Sequence, residues 1–290
     1  MALCDYANMS IMVGHNSDRL KFLLEAVPAG FIVDSTWLNQ NGIGRRSSYA
    51  YVKRGWLERL AHGVYRRPAP NAHHANNVDW KSAVLSLQHI MDRPIHVGGM
   101  TALALQGYGH YLPLGRSAPL WLYGPAMPNW LDMLPLERKV HTRKSTLFTD
   151  ATLGVVDEAN DDAESHRASL PWEWTLRMSA PERAVLEALD ELPKHESFHN
   201  VDMAFESLTT LRPKLLNALL TDCTKVKVKR LFFVFADRHG HAWHKRLDPG
   251  AFNLGSGDRA LVKGGKLHPL YRIMVPEEFA RARTEHLDGA

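Results

Sequence analysis

Asn41-Gly42-Ile43-Gly44-Arg45-Arg46-Ser47-Ser48-Tyr49-Ala50-Tyr51-Val52-Lys53-Arg54-Gly55 is the stretch whose pattern decides the fold. Asn41 and Gly42 both tolerate a positive φ and mark a turn, and Ile43 is the apolar residue that plugs it. From Arg45 the pattern becomes helical. Ser48, Tyr51 and Val52 stand at i, i+3 and i+4 and form a face that turns to a core. Arg45, Arg46, Ser47, Tyr49, Ala50 and Lys53 then point away from it. Gly55 occupies the place of a left-handed residue just past a helix end.

Outward from this helix the neighbouring elements follow. Upstream, Ser17 to Ala26 is expected to be a helix with Ser17 as cap and Leu20, Leu23 and Leu24 as its apolar face, ended by Pro28 and Gly30. Phe31-Ile32-Val33 is a strand or extended link. Ser35 to Asn41 is a second helix, capped by Ser35, with Trp37 and Leu38 inward. Downstream, Trp56 to Leu60 and Val64 to Arg67 form a β-hairpin with Gly63 at its turn, stopped by Pro68 and Pro70. Three helices, a glycine-containing turn and a basic two-stranded wing make a winged helix-turn-helix. The fold class is α+β: a tail over 1–16, the winged helix-turn-helix over 17–70, a linker over 71–78, and a larger mixed α/β domain over 79–290.

Charge supports a nucleic-acid partner. Between Asn41 and Pro70 there are seven Lys/Arg residues against one acid, Glu58. A local positive excess is the footprint of a phosphate-binding surface, although a charge run by itself also describes a solvated face. A helix-turn-helix places its second helix in the major groove of double-stranded DNA. Arg45, Arg46, Ser47, Tyr49 and Ala50 are the base-edge candidates, since arginine reads guanine through two hydrogen bonds and a small residue meets a thymine methyl. Lys53, Arg54, Arg59, Arg66 and Arg67 are phosphate candidates, and His62 stands at the wing tip. Winged helices also mediate protein contacts; the charge excess favours DNA.

The rest of the chain alternates between helix and strand patterns. Helices are expected over Val78–Met91, Thr101–Gln106, from the capping box Ser179-Ala180-Pro181-Glu182 through Leu189, Ser197–Leu208 and Pro213–Thr221, with a terminal helix from Pro276. Strands are expected over Ile95–Val97, Pro119–Tyr123, Lys139–Phe148, Glu173–Met178, Lys225–Ala236, Ala242–Leu247, Ala260–Val262 and Tyr271–Ile273. Asp157 to Ser169 is an acidic loop.

No catalytic set is visible. His239, His241 and His244 fall at an expected hairpin turn and fan into solvent rather than bind zinc. His195 and His199 share a helical spacing only if their helix starts early. Leu254–Asp258 and Lys263–Gly265 are glycine-rich, but without a following helix they are tight turns, not phosphate cradles. Lys225, Lys227 and Lys229 share one face of the expected strand, as an exposed edge or an extension of the DNA surface. No metal and no cofactor is expected.

Composition agrees with a globular protein. Of 290 residues, 45% are hydrophobic and 23% charged, with net charge +4. The two cysteines, Cys4 and Cys223, make no disulfide framework and fit a reducing cytoplasm. No signal peptide and no run of about 18 apolar residues is present, so no membrane partner is expected.

Gly42 to Arg46, Val52 to Leu60 and Gly63 to Arg66 resemble the N-terminal domain of AbiEi-family antitoxins of type IV toxin–antitoxin systems. The resemblance continues at Gly99–Gly107 and Ser179–Ala184, and is strongest at Leu254–Gly265, Tyr271-Arg272-Ile273 and Val275-Pro276. Gly44 departs from the pattern, where Ser or Thr is the usual cap. The resemblance implies a repressor of its own operon, acting at inverted repeats in its promoter. It also implies that the C-terminal domain counteracts a nucleotidyltransferase-like toxin without forming a stable complex. Two other classes stay open on the residues alone: a ligand-sensing regulator with no toxin, and a nucleic-acid-processing enzyme, which would need an acid or metal cluster that the sequence does not display.

Overall fold

The computed structural model describes residues 17–69, 77–109, 118–158 and 174–280. The fold mixes helices and strands, and the chain divides into two compact units. The expected linker lies largely outside the described residues, as does the tail over 1–16.

The first unit comprises the described residues up to Ile95 together with Met127–Val140, Glu158 and residues 174–176. Residues 17–26 form helix α1, already helical at Ser17, so its cap falls outside the described residues. Then come β1 (Ile32–Asp34), α2 (Ser35–Gln40), α3 (Arg45–Lys53), β2 (Glu58–Ala61) and β3 (Val64–Arg66). The strands form an antiparallel sheet in the order β1-β3-β2, with Val33 opposite Tyr65 and Glu58 opposite Arg66. Gly63, at φ +73°, lets the hairpin turn where a Cβ would be strained. The cap of α2 is Asp34, one residue before the expected Ser35: its carboxylate accepts from the Trp37 amide at 2.8 Å.

Helix α4 (Trp80–Leu85) continues as a wider π-type turn over Ser86–Ile90. It belongs to this first unit, because the Ser86 hydroxyl accepts from the Ile32 amide of β1 at 3.0 Å and donates to Ser82 at 2.6 Å. Asp34 further meets Trp130 Nε1 at 3.3 Å and Arg93 at 3.4 Å. Compactness therefore carries the first unit past the expected boundary at 71–78.

In the second unit a five-stranded sheet runs in the order β6 (Val140–Lys144), β5 (Leu120–Gly124), β4 (His96–Val97), β8 (Leu176–Ser179), β7 (Val155–Glu158). Helices α5 (Gly99–Leu105), α6 (Pro181–Glu191), α7 (Phe198–Ser207), α8 (Pro213–Asp222) and α9 (Val226–His239) accompany it. Phe205, Phe232, Phe233 and Phe235 are fully buried, each contributing roughly 1.5–3 kcal/mol relative to exposure.

Several expectations are corrected here. Lys225–Ala236 is not a strand but most of helix α9. Its residues Val228 to Ala236 are all buried, so no polar stripe betrays the helical period. Gly240, at φ +60°, caps that helix where a hairpin turn was expected, and His244–Arg246 is a single 3-10 turn rather than a partner strand. Lys225, Lys227 and Lys229 share no strand face. Lys225 pairs with Asp190, Lys227 caps the carbonyl of Leu192 at 3.1 Å, and Lys229 is buried. The Ser179 capping box does not form: Ala180 is the cap, while Ser179 donates to Glu187 and Glu182 binds Arg212. Asp157 and Glu158 lie in β7, and the remainder of the acidic loop lies outside the described residues. Strands near Ala260 and Tyr271 reduce to a bridge between Arg259 and Ile273, beside the short pair β9 (Lys266–Leu267) and β10 (Met274–Val275). The terminal helix is one turn, Glu277–Phe279, within the described residues.

Candidate nucleic-acid interface

Helix α3 is held by its inner face and presents its outer one. Ile43 is fully buried and its amide donates to the Leu38 carbonyl at 2.8 Å, closing the turn that sets α3 against α2. Gly44 is the N-cap and offers no side-chain bond, leaving the first amides of the helix open. Ser48 and Tyr51 are buried, and the Ser48 hydroxyl donates to the Gly44 carbonyl at 3.1 Å. Val52 is half-buried. Burial pushes the Tyr51 hydroxyl above its ordinary value, opposed by the nearby charges of Arg19 and Arg54.

Arg45, Arg46, Tyr49 and Lys53 are exposed along the opposite side, while Ser47 and Ala50 are half-buried at its margin. Tyr49 is 61% exposed, a large aromatic left in water, with Lys53 Nζ 5.0 Å from its ring centroid. Arg54, Arg59 and His62 are exposed too, Arg59 donating to the Ala61 carbonyl at 3.3 Å.

Two candidates are used by the fold instead. Arg66 Nη2 donates to Glu58 Oε2 at 2.7 Å, and its Nη1 reaches the Asn77 carbonyl at 3.4 Å. Arg67 Nη1 donates to the carbonyls of Leu24 and Val27, the latter at 2.7 Å, capping the end of α1. Arg67→Ala is therefore expected to lower thermal stability by about 1–2 kcal/mol while leaving the salt dependence of DNA binding unchanged, a pair of outcomes that calorimetry and a salt titration separate. In the other direction, Arg19 joins the outer set. It is exposed, and its guanidinium lies against Gly42, beside the turn into α3. Its position just off the Leu20, Leu23 and Leu24 stripe was the only sequence signal for it.

The other motifs are accounted for locally. His239 Nε2 lies 2.7 Å from Asp202, His241 Nε2 lies 2.7 Å from the Phe205 carbonyl, and His244 Nε2 lies 3.0 Å from Asp237. These histidines thus engage the fold rather than fanning into solvent. Among the described residues no group of three His, Cys, Asp or Glu side chains is arranged to hold a metal. Helix α7 begins at Phe198, so His195 and His199 share no helical face. No helix of the described residues is long and apolar enough to cross a membrane.

Comparison with known proteins gives two family matches and one similar fold. Residues 16–114 match the family described as transcriptional regulator, AbiEi antitoxin N-terminal domain. Residues 117–276 match the family described as transcriptional regulator, AbiEi antitoxin, type IV TA system. The curated proteins give no match. The fold is similar to the crystal structure of the RV2827C protein from Mycobacterium tuberculosis, with TM-score 0.51 and 16% identity over 84% of this chain and 85% of that one. The two family matches together span nearly all of the sequence, and the chain belongs to the AbiEi antitoxin family of transcriptional regulators of type IV toxin–antitoxin systems.

Proposed function

We propose that residues 17–70 are a winged helix-turn-helix that binds double-stranded DNA at inverted repeats in the chain's own promoter and represses its operon. The order helix, strand, helix, helix, hairpin supports this reading, with α3 as the recognition helix and β2–β3 as the wing. The observation that carries it is the outer face of α3. Arg45 and Arg46 stand exposed in its first turn, where a recognition helix meets base edges, and Lys53 and Arg54 stand exposed at its end. The second unit counteracts a nucleotidyltransferase-like toxin in the cytoplasm, acting as a regulator and not as an enzyme.

Fluorescence anisotropy of the full chain on its own upstream duplex and on a shuffled duplex, in rising salt, tests the DNA half. Preference for the upstream duplex is expected; equal affinity for both overturns the operator claim. Lys53→Ala should weaken both duplexes alike and reduce the salt slope by about one. A slope unchanged in that variant removes Lys53 from the phosphate contacts. A nucleotidyltransferase reading frame next to this one is expected, and co-expression with its product tests the other half through growth rescue; absence of such a reading frame overturns the toxin claim.

A further inference from the structure

Arg19 is a cation without a counterion, yet its place is fixed. It is exposed on α1, and among the described residues no carboxylate lies in ion-pair range of it. The other cation of that helix, Lys21, pairs with Glu25 one turn on, at 4.0 Å. Asp18 precedes Arg19 directly, but adjacent helix positions point apart and the two do not pair. The guanidinium instead rests on the turn between α2 and α3. Its Nε and Cζ stand 3.6 and 3.9 Å from the point that a Gly42 Cβ would occupy. Gly42, at φ +75°, is the left-handed residue of that turn and lies two positions before Gly44, the N-cap of α3. The Arg19 charge also opposes the upward push that burial gives the Tyr51 hydroxyl on the inner side of α3.

The cations that this unit spends on its own stability are bonded: Arg66 to Glu58, and Arg67 to the carbonyls that end α1. Those left without a carboxylate gather around α3, with Arg45 and Arg46 in its first turn and Lys53 and Arg54 at its end. Arg19 adds a cation to the first of these two ends, and it comes from a different helix. Guanidinium groups held near one helix start with no counterion repel one another, and an anion supplied by a partner removes that penalty.

We propose that Arg19 is a phosphate-binding residue of the DNA interface, gripping the strand backbone beside the groove that α3 enters and so fixing how far along the groove that helix sits; the assignment rests on the winged helix-turn-helix reading above. A phosphate suits its position better than a base. The major groove admits a single helix, so a side chain from a neighbouring helix meets the backbone at the groove's edge. The guanidinium fork offers paired donors to two phosphate oxygens. Because the group already rests on Gly42, it loses less rotamer freedom on binding than a free surface arginine would.

The test uses the full chain and compares the wild type with Arg19→Gln and Arg19→Lys, on the upstream and shuffled duplexes in rising salt. Arg19→Gln is expected to weaken both duplexes alike, roughly three- to tenfold at about 0.1 M salt, and to reduce the salt slope by about one. Arg19→Lys keeps the charge and is expected to keep the wild-type slope. The unfolding midpoint should be the same for the wild type and both variants. Neutral methylphosphonates placed at each position of the upstream duplex in turn then locate the contact: one position that weakens the wild type should leave Arg19→Gln unaffected. An affinity and slope unchanged in Arg19→Gln overturn the proposal, as does a methylphosphonate profile identical to that of the wild type. A loss of preference for the upstream duplex makes Arg19 a base reader and also overturns it. A lower midpoint with the wild-type slope makes it a packing residue of the turn, with the same consequence. A wild-type chain that binds neither duplex is a separate result, since it removes the winged-helix reading itself.

Discussion

Replacing Glu187 with alanine is expected to destabilise the fold by about 3–5 kcal/mol, read as a lower midpoint in urea unfolding. Glu187 is fully buried in the second unit and collects four partners. Ser179 donates to it at 2.7 Å, the Gly99 amide at 3.0 Å and Arg183 Nε at 2.8 Å, and His96 Nε2 lies 3.1 Å away. These residues sit on β8, α5, α6 and β4, so one carboxylate joins four elements. Alanine would strip the Arg183 charge of its carboxylate; the side chain is equally buried and keeps the carbonyls of Ala151 and Leu153 and the Phe148 ring, 4.7 Å away. An unpartnered buried charge costs more than the pair contributes, which makes truncation the severe change.

The same site sets an acid response. Burial pushes the Glu187 carboxyl up, but the charges and hydrogen bonds of His96 and Arg183 outweigh it and hold it below the usual carboxylate range. A depressed folded value contributes stability that is fully present above the unfolded glutamate value of about 4.3 and is lost as pH falls through the folded value. Stability measured from neutral pH downward should fall more steeply in the wild type than in Glu187→Gln. The glutamine variant should lie between wild type and alanine at neutral pH, because its amide nitrogen would face donors. Equal urea midpoints for wild type and alanine would show that the network carries no net stability.

Arg46→Ala is expected to remove about 1–3 kcal/mol of discrimination between the chain's own upstream duplex and a shuffled one. That is roughly 5- to 150-fold in the affinity ratio. Arg46 is exposed in the first turn of α3, on the face opposite Ser48 and Tyr51, and no side-chain cap occupies the helix start. An arginine there can meet guanine O6 and N7 together through a rigid planar fork, which a rotatable lysine ammonium matches with less directional selectivity. Arg46→Lys should therefore keep most of the affinity for the shuffled duplex and lose part of the preference. Competition anisotropy at fixed salt measures both. A preserved affinity ratio in Arg46→Ala would move base reading to Arg45, Ser47 or Tyr49.

The outer face of α3 was legible because its cause is local. The Ser48, Tyr51 and Val52 spacing orients nine residues at once, and the turn plugged by Ile43 sets where the helix begins. Arg66 was half legible. The hairpin places it opposite Glu58, and a cross-strand ion pair follows from that register. Arg67 was not legible at all, since its acceptors are carbonyls about forty residues upstream, exposed only by the way α1 ends. Arg19 was hidden for the same reason: its neighbours at the turn into α3 are distant in sequence.

Helix α9 shows the limit from the other side. Lys225, Lys227 and Lys229 alternate with valines, and Leu231 to Phe235 are uniformly apolar, a pattern with no helical stripe. A helix buried on every side has no polar face to mark its period, so only packing distinguishes it from a strand.

Residue order alone determined helix α3, its turn, the hairpin and the basic excess around them, because each depends on side chains within a few positions of one another. The tertiary structure decided which cations remain in water and which buried carboxylate joins the second unit. Those outcomes depend on partners brought together across tens of residues, and no local period encodes such distances.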